Sequence, residues 1–368
     1  MYGIINEYLG SEEIERPRGL DNRVGGDSVA IRMCAIASYA RKDRIGYYLE
    51  NSKTKWRLVW RPVYNGEGTH CYIAFNGFQY SVVITSKPFD YNLDSFHDWS
   101  MNYLKCLDLA PWPYTRFPDK GPLVGRGLLE QLEALKELKD ENGVGLYDFL
   151  VENAIPDNYS INCTGWSAGG SLAVVLASFL KFELRAKKHR LPKIVSVLSF
   201  GGPQSWNRAF CEEYDKNFRI NGWRFDNMLD PIHLIAVNFD IFGYLSSYLD
   251  PKEMMISSYQ TFDEYCTKMG DLSVEEEKRK RTYFYETHLK RGTIDINHER
   301  LGSRGETRDM STLEKWWCNC ESQHELKRYI RLLPSMWKLD DLFKDYETRY
   351  DKKWWQFRKK GWEVNDPC

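Results

Sequence analysis

Residues 159–177 read YSINCTGWSAGGSLAVVLA and predict a strand, a sharp turn and the start of a helix. Residues 159–164 have a strand pattern, and the small apolar run over 171–177 is typical of a buried helix. Gly165 and Gly169 flank Ser167 two residues away on each side, which is the G-x-S-x-G pattern of a nucleophile elbow. Such a turn holds the serine outward at a helix N-terminus, where free N–H groups favour developing negative charge. The pattern predicts Ser167 as a nucleophile.

An acid and a base are needed to activate a serine hydroxyl, and the acid candidates come first along the chain. In open parallel sheets such residues follow the carboxyl ends of strands. Strand patterns cover 193–200 and 222–229, and the second ends at Asp230-Pro231, where the proline stops it. Asp230 is therefore the predicted acid. Asp226 is the second choice, because it lies inside the strand pattern.

In proteins with a nucleophile elbow the partners follow in the order serine, acid, histidine, so the base is sought among the histidines after Asp230. His233 is too near Asp230 along the chain to turn back on the serine. His324 begins an amphipathic helix pattern and is the predicted base, with His298 as the second choice. The cysteines of Cys318-Asn319-Cys320, just before His324, are too closely spaced for a structural zinc site. We predict no metal and no organic cofactor.

These motifs, in this order, resemble the class 3 lipases, the fungal-lipase-like α/β-hydrolases, over about two thirds of the chain. The family's G-H-S-L-G-G matches residues 165–170, with Trp166 in place of the histidine. Its F-G-x-P strand end matches residues 200–203, its aspartate before proline matches Asp230, and its late histidine matches His324.

The resemblance extends upstream of the nucleophile. Residues 71–78, CYIAFNGF, resemble the family's strand and oxyanion loop, usually F-R-G-T or F-R-G-S. Asp98-Trp99 and residues 125–129 resemble its D-W and H-x-G-F elements. The resemblance implies that the main-chain N–H groups of Phe78 and Ala168 form the oxyanion hole.

The resemblance also implies a fold and an activity. The fold is α/β, an α/β-hydrolase with a mostly parallel central sheet flanked by helices. The implied activity is that of a lipase, phospholipase or esterase, which cleaves lipid carboxylic esters through a Ser-Asp-His triad and an acyl-enzyme. Two alternatives remain open. One is a non-catalytic scaffold, since Trp166, Asn76 and Phe78 depart from the family pattern. The other is an acyltransferase or thioesterase on the same triad.

The sequence predicts one large domain over residues 1–335 and an aromatic and basic extension over 336–368. The long separation of Asp230 from His324 implies a helical insertion at about 236–312. Its apolar segment IFGYLSSYL, residues 241–249, is a candidate lid. In the extension, residues 351–362 interleave basic and aromatic side chains, which predicts either contact with an anionic membrane or a helix packed on the domain.

Composition restricts the partners and the location. The 51 basic residues nearly balance the 52 acidic ones, so nothing indicates nucleic-acid binding, and the expected partner is a lipid or acyl-ester substrate. No apolar stretch approaches a membrane span, and the first residues lack a signal-peptide pattern. Nine scattered cysteines fit reduced thiols, which favours a cytoplasmic location. No pattern indicates an oligomeric state.

Further elements follow from periodicity and turn residues. A first helix is predicted over Asp27 to Tyr39, and two strands over 56–64 and 69–75 are joined by the hairpin signal NGEG. Residues 128–138 and 145–153 have helical patterns. No strand is predicted between Phe78 and the nucleophile strand.

Overall fold

A computed structural model describes residues 26–51, 55–63, 70–85, 109–189, 195–227, 298–301, 324, 326–333, 337–346 and 348. These residues contain nine strands: β1 Arg57–Trp60, β2 His70–Phe75, β3 Gln79–Thr85, β4 Leu109–Pro111, β5 Leu123–Gly125, β6 Ser160–Trp166, β7 Val195–Phe200, β8 Gly222–Asn227 and β9 His298–Leu301. Seven of them form one sheet in the order β1-β2-β3-β6-β7-β8-β9, and β4 pairs with β5.

The main sheet is antiparallel at one edge and parallel elsewhere. β1 pairs antiparallel with β2, and β2 with β3. All pairs from β3 through β6, β7 and β8 to β9 are parallel. Parallel neighbours need long crossover connections, and helices fill those between β6, β7 and β8. The mostly parallel sheet flanked by helices confirms the predicted fold class.

Helices cover both faces of the sheet. Their bounds are α1 Asp27–Tyr39, α2 Ile45–Glu50, α3 Arg126–Glu137, α4 Leu146–Asn153, α5 Ala168–Ala186, α6 Arg208–Phe218 and α7 Leu326–Leu332, with a further helix over 340–346 and 3-10 turns at Lys42–Arg44 and Pro118–Lys120. Residues of α3 to α6 form one apolar core, and residues of α1, α2, α7 and 340–346 form the other. None of the helices in the described ranges is long and apolar enough to cross a membrane.

Several predicted elements agree with the structure. The first helix has the predicted bounds, and β1 and β2 pair antiparallel, as predicted. The central strand β3 was missed. Its run from Tyr80 to Thr85 is buried on both faces, so it lacks the alternation of a half-exposed strand.

Some predicted features lie outside the described residues. These are Asp98-Trp99, Asp230, the candidate lid at 241–249, and the basic and aromatic segment at 351–362. Of the predicted extension, Trp337, Leu339 and Leu342 are buried in the same core as α1. The described part of the predicted extension therefore packs against α1.

Candidate active site

Ser167 lies in a one-residue turn between β6 and α5. Its backbone angles are φ 57° and ψ −134°, a region that residues with a side chain seldom adopt. β6 ends at Trp166 and α5 begins at Ala168, so the chain reverses direction at Ser167 alone. The strained turn agrees with the strand, turn and helix predicted for a nucleophile elbow.

Two glycines let the strand and the helix meet at this turn. A Cβ at Gly165 would overlap the carbonyl of Gly169 and lie 2.8 Å from the nitrogen of Gly170. A Cβ at Gly169 would lie 2.7 Å from the Cα of Thr85. The obstructing atoms belong to the main chain, which has little freedom to move. Both positions therefore require glycine.

His324 is the base candidate that the structure brings to the serine. Its Nε2 lies 2.8 Å from the Oγ of Ser167 across a separation of 157 residues. Both side chains are buried, with 3% of Ser167 and 8% of His324 exposed. When the imidazole proton is on Nδ1, Nε2 accepts the hydrogen bond of the hydroxyl. This is the geometry that proton transfer from a nucleophilic serine requires.

Trp166 contacts His324 in two ways. Its indole N–H donates to the main-chain oxygen of His324 at 3.1 Å. Its ring also stacks on the imidazole, with ring centroids 5.0 Å apart and an interplanar angle of 29°. The residue before the nucleophile therefore contacts both the main chain and the ring of the base.

The helix that follows His324 is attached at two places. At its middle, the hydroxyl of Tyr329 accepts a hydrogen bond from the backbone N–H of Asn227, the last residue of β8, at 3.1 Å. At its end, the Arg32 guanidinium donates to the carbonyls of Leu333 at 2.8 Å and Trp337 at 2.7 Å. Burial lowers the pKa of Arg32 to about 10, although the negative charge of Asp27 acts to raise it. Arg32 therefore stays a cation at neutral pH. A cation at a helix C-terminus is favourable.

The second-choice base, His298, lies elsewhere. It begins β9 and pairs with Arg224 of β8, in the row of the sheet that contains Gly165. Three strand spacings separate β9 from β6, which places the main chain of His298 about 14 Å from that of Gly165. His324, and not His298, lies at the serine.

The two acid candidates differ in what the structure describes. Asp226 is buried in β8 and accepts a hydrogen bond from the Nε of Arg224 at 2.6 Å. Phe225, beside it, belongs to the core that contains Trp166, so strand alternation puts Asp226 on the opposite face of the sheet. Asp230 lies outside the described residues and stays a prediction. The chain leaves β8 beside Tyr329, in the helix that follows His324, and Asp230 comes three residues after that strand end.

Phe78, the predicted oxyanion residue, is at the wrong end of the sheet for that role. It lies in the turn between β2 and β3, is 72% exposed, and accepts a hydrogen bond from the N–H of Ser160 at 3.3 Å. Ser160 begins β6, whereas Ser167 follows its last residue. The predicted role of Phe78 assumes that β2 runs parallel to β6 and ends beside the nucleophile. Instead β3 runs parallel to β6, and β2 is antiparallel to β3, so β2 ends at the opposite end of the sheet from Ser167. The predicted role of Phe78 does not fit this geometry.

Ala168 and Thr85 lie where an oxyanion hole is expected. Ala168 is the first residue of α5, so its N–H has no acceptor within the helix. Thr85 ends β3, pairs with Trp166, and is fully buried. Within the described ranges, its Oγ1 has no hydrogen-bond partner. Thr85 is not among the predicted site residues, although the β-branched run Val82-Val83-Ile84 before it is a signal for a buried strand.

No group of three or more histidine, cysteine, aspartate or glutamate side chains in the described ranges is arranged to hold a metal ion. Cys318 and Cys320 are outside those ranges. The described site therefore consists of a strained serine, a histidine in hydrogen-bonding contact, and donors at a helix start and a strand end.

Comparison with known proteins finds a family match over part of the chain and a similar fold. Residues 94–238 match the model of the Lipase (class 3) family. The fold is similar to that of M37 lipase, with a TM-score of 0.60 and 19% identity, covering 87% of this chain and 94% of the other.

Two further solved lipases match less closely. Lipase II from Rhizopus niveus has 17% identity and a TM-score of 0.43, covering 57% of this chain and 73% of the other. The lipase from Rhizopus microsporus var. chinensis has 18% identity and a TM-score of 0.42, covering 59% and 69%. A search of curated proteins returned no match. The resemblance to the class 3 lipases is thus confirmed over residues 94–238, in a chain with the α/β-hydrolase fold.

Proposed function

We propose that this protein is a serine hydrolase that cleaves carboxylic esters of lipids. The observation that carries the proposal is the 2.8 Å contact between His324 Nε2 and Ser167 Oγ at a strained elbow. A serine that only capped a helix would need neither the positive φ nor a buried histidine at its hydroxyl. The class 3 lipase match supports lipase-type ester hydrolysis as the reaction.

In the proposed reaction, Ser167 Oγ attacks the ester carbonyl carbon while His324 Nε2 takes the hydroxyl proton. The carbonyl oxygen becomes an oxyanion, and the Ala168 N–H with a donor at the end of β3 stabilises it. The carbon–oxygen bond to the alcohol then breaks, and His324 gives its proton to the leaving alcohol. Asp230 orients the imidazole throughout.

The second half of the reaction returns the enzyme to its starting state. A water molecule attacks the acyl-enzyme while His324 takes a proton from it. Collapse of the second tetrahedral intermediate breaks the bond to Ser167 Oγ, which recovers its proton from His324, and the carboxylic acid leaves. A thiol or a second alcohol entering in place of water would make the same site an acyltransferase.

The test is labelling by a fluorophosphonate probe, which reacts with activated serines, together with hydrolysis of p-nitrophenyl esters of short and long acyl chains. We expect wild type to be labelled, and Ser167→Ala and His324→Ala to lose labelling and about 10⁴-fold or more of kcat. Asp230→Asn should lose about 10⁴-fold, because its amide favours the wrong imidazole tautomer.

His298→Ala is the matched control for the base and should be labelled like wild type. A folded wild-type protein that is not labelled, with and without lipid vesicles, would contradict the proposal and favour the non-catalytic scaffold. Labelling lost in His298→Ala but kept in His324→Ala would contradict the assignment of the base.

A further inference from the structure

We propose that Trp166 is the positioning residue of the catalytic base, holding both the main chain and the ring plane of His324. This inference rests on the proposed function, because it concerns the same serine and histidine. It assigns a role to the residue that stands where the family has histidine.

The contacts of Trp166 are suited to that role. Its indole is buried, with 7% exposed, and lies in the core that α1 and α7 share. The hydrogen bond of 3.1 Å fixes the carbonyl of His324, while the stacked ring limits rotation of the imidazole about its side-chain bonds. One side chain therefore restrains both the backbone and the ring of His324.

The position of Trp166 next to Ser167 explains why this restraint matters. Trp166 is the last residue of β6, so its main chain is set by sheet hydrogen bonds to β3 and β7. His324 comes from a distant part of the chain and has no sheet to hold it. The indole links the base to the same strand end that carries the nucleophile. A displacement of about 1 Å between catalytic groups lowers rates about 10²-fold, so such a link affects the chemical step.

The replacement of the family's histidine by Trp166 is compatible with catalysis, because the indole can hold His324. Trp166 supplies an N–H donor, because an indole nitrogen always carries a proton. The larger ring adds a stacking surface that also favours the imidazolium formed during the reaction, through a cation–π contact. The departure at Trp166 therefore supports the positioning of His324, whereas a non-catalytic scaffold would not need such a contact.

The protein contains another buried tryptophan, outside the proposed site, that serves as a comparison. Trp60 of β1 is buried, with 2% exposed, and its indole donates to the carbonyl of Val144 at 3.0 Å. Its bond has the same chemistry and nearly the same length, but Val144 has no part in the proposed site. Trp60→Phe therefore measures what losing one buried indole–carbonyl bond does to stability alone.

The experiment compares Trp166→Leu, Trp166→Phe, Trp166→His and Trp60→Phe for Tm, labelling rate, kcat and KM. We expect Trp166→Leu to lower the labelling rate and kcat about 10²-fold with KM nearly unchanged. Trp166→Phe keeps a stacking ring without the donor and should lose about 10-fold. Trp166→His regains a donor and should be faster than Trp166→Leu. Trp60→Phe should lower Tm as much as Trp166→Phe does, without changing kcat.

A second readout does not depend on turnover. In histidine-labelled protein, the stacked indole shifts the NMR signals of the His324 ring protons upfield, and His324→Ala assigns those signals. We expect the shift in wild type and Trp166→Phe and its loss in Trp166→Leu. The inference is overturned if wild type is labelled and if wild type, Trp166→Leu and Trp166→Phe have equal labelling rates and equal shifts of the His324 ring protons. If wild type is unlabelled but the shift is present, the proposed function fails while the Trp166 contact stands.

Discussion

The proposed nucleophile and the proposed base are held in two different ways. Ser167 lies in a turn between Gly165 and Gly169, and the atoms that crowd these two glycines belong to the main chain. His324 is held by side chains from distant parts of the chain, namely Trp166 directly, and Arg32 and Tyr329 through its helix. The elbow therefore depends on close packing of main-chain atoms, whereas the proposed base depends on side-chain contacts that single substitutions remove.

The layer that carries His324 joins two distant parts of the sequence. α1 and the helix over 340–346 pack through Tyr39, whose ring lies 5.6 Å from that of Phe343 and 4.6 Å from that of Tyr346. The hydroxyl of Tyr48 donates to Asp345 at 2.5 Å. Because this layer is built from side chains, we expect stability and base geometry to vary together there, while the elbow fails only when its main chain is disturbed.

The largest effect is expected from Gly165→Ala, which tests whether the elbow is set by its main chain. The new Cβ would overlap the carbonyl of Gly169, so either the strand or the helix must shift. We expect a loss of about 3–5 kcal/mol in the free energy of unfolding, and no probe labelling. Gly143→Ala is the matched control: its φ is 79°, nothing lies within 4 Å of the added Cβ, and it should cost about 1 kcal/mol. Equal Tm values for the two variants would contradict a rigid elbow.

Thr85→Val comes next and tests the end of β3 as part of the oxyanion hole. Valine has the shape of threonine without the hydroxyl, and that hydroxyl has no partner in the described ranges. We expect kcat to fall about 10²-fold, the usual cost of one oxyanion donor, with Tm unchanged or raised. Phe78→Ala, at the opposite end of the sheet, should leave kcat unchanged. The reverse pattern would restore Phe78 as the donor.

Arg32→Met should have a smaller effect, and it tests the helices that hold His324. Methionine leaves the buried carbonyls of Leu333 and Trp337 without the guanidinium, at a cost of about 2 kcal/mol in the free energy of unfolding. The labelling rate should fall as well, since the end of α7 is released. Arg41→Met removes an exposed pair with Asp43, which solvent screens, and should leave stability nearly unchanged. An Arg32→Met protein that labels at the wild-type rate would show that the base is held without this clamp.

The smallest effect concerns Cys34, where the two regions meet. Its Sγ lies 3.8 Å from the Oγ1 of Thr164, on the nucleophile strand, and burial raises the pKa of the thiol to about 12. The unfolded thiol, with a pKa of about 8.5, ionises at lower pH. The contribution of Cys34 to stability is thus complete below pH 8.5 and falls as the pH rises toward 12.

The measurement is urea unfolding of wild type and Cys34→Ala at pH 7.5 and 9.5. The difference in the free energy of unfolding between the two proteins should shift by about 1.4 kcal/mol in favour of Cys34→Ala at the higher pH. A constant difference between the two pH values would mean that the thiol ionises in the folded protein, and that the junction is open to water.

The sequence predicted the elbow well because its physical causes are local. Two glycines, a preceding strand pattern and a following run of small residues all lie within 159–177. The first helix was predicted with its bounds, since its apolar residues and start signals are contiguous. His324 was identified from a resemblance and a helix-start pattern, and the structure places it at the serine.

Phe78, the predicted oxyanion residue, lies away from Ser167 for a reason that sequence alone does not show. β2 and β3 are both apolar, and either one can be taken for the strand beside the nucleophile. Which of them runs parallel to β6 depends on the hairpin that reverses the chain at residues 76–78. Strand direction sets which end of the sheet each loop reaches, so Thr85 lies near Ser167 and Phe78 does not.

The sequence by itself predicted the elbow serine and the glycines around it, because the strand pattern, the G-x-S-x-G turn and the helix pattern all lie within residues 159–177. It predicted the fold class through the resemblance that the ordered motifs carry. The tertiary structure alone decided that Trp166 stacks on His324, that Arg32 caps the helix after it, and that β3 ends at the elbow. Those contacts join residues as much as 305 positions apart. They arise from the packing of helices on both faces of the sheet, which no local pattern encodes.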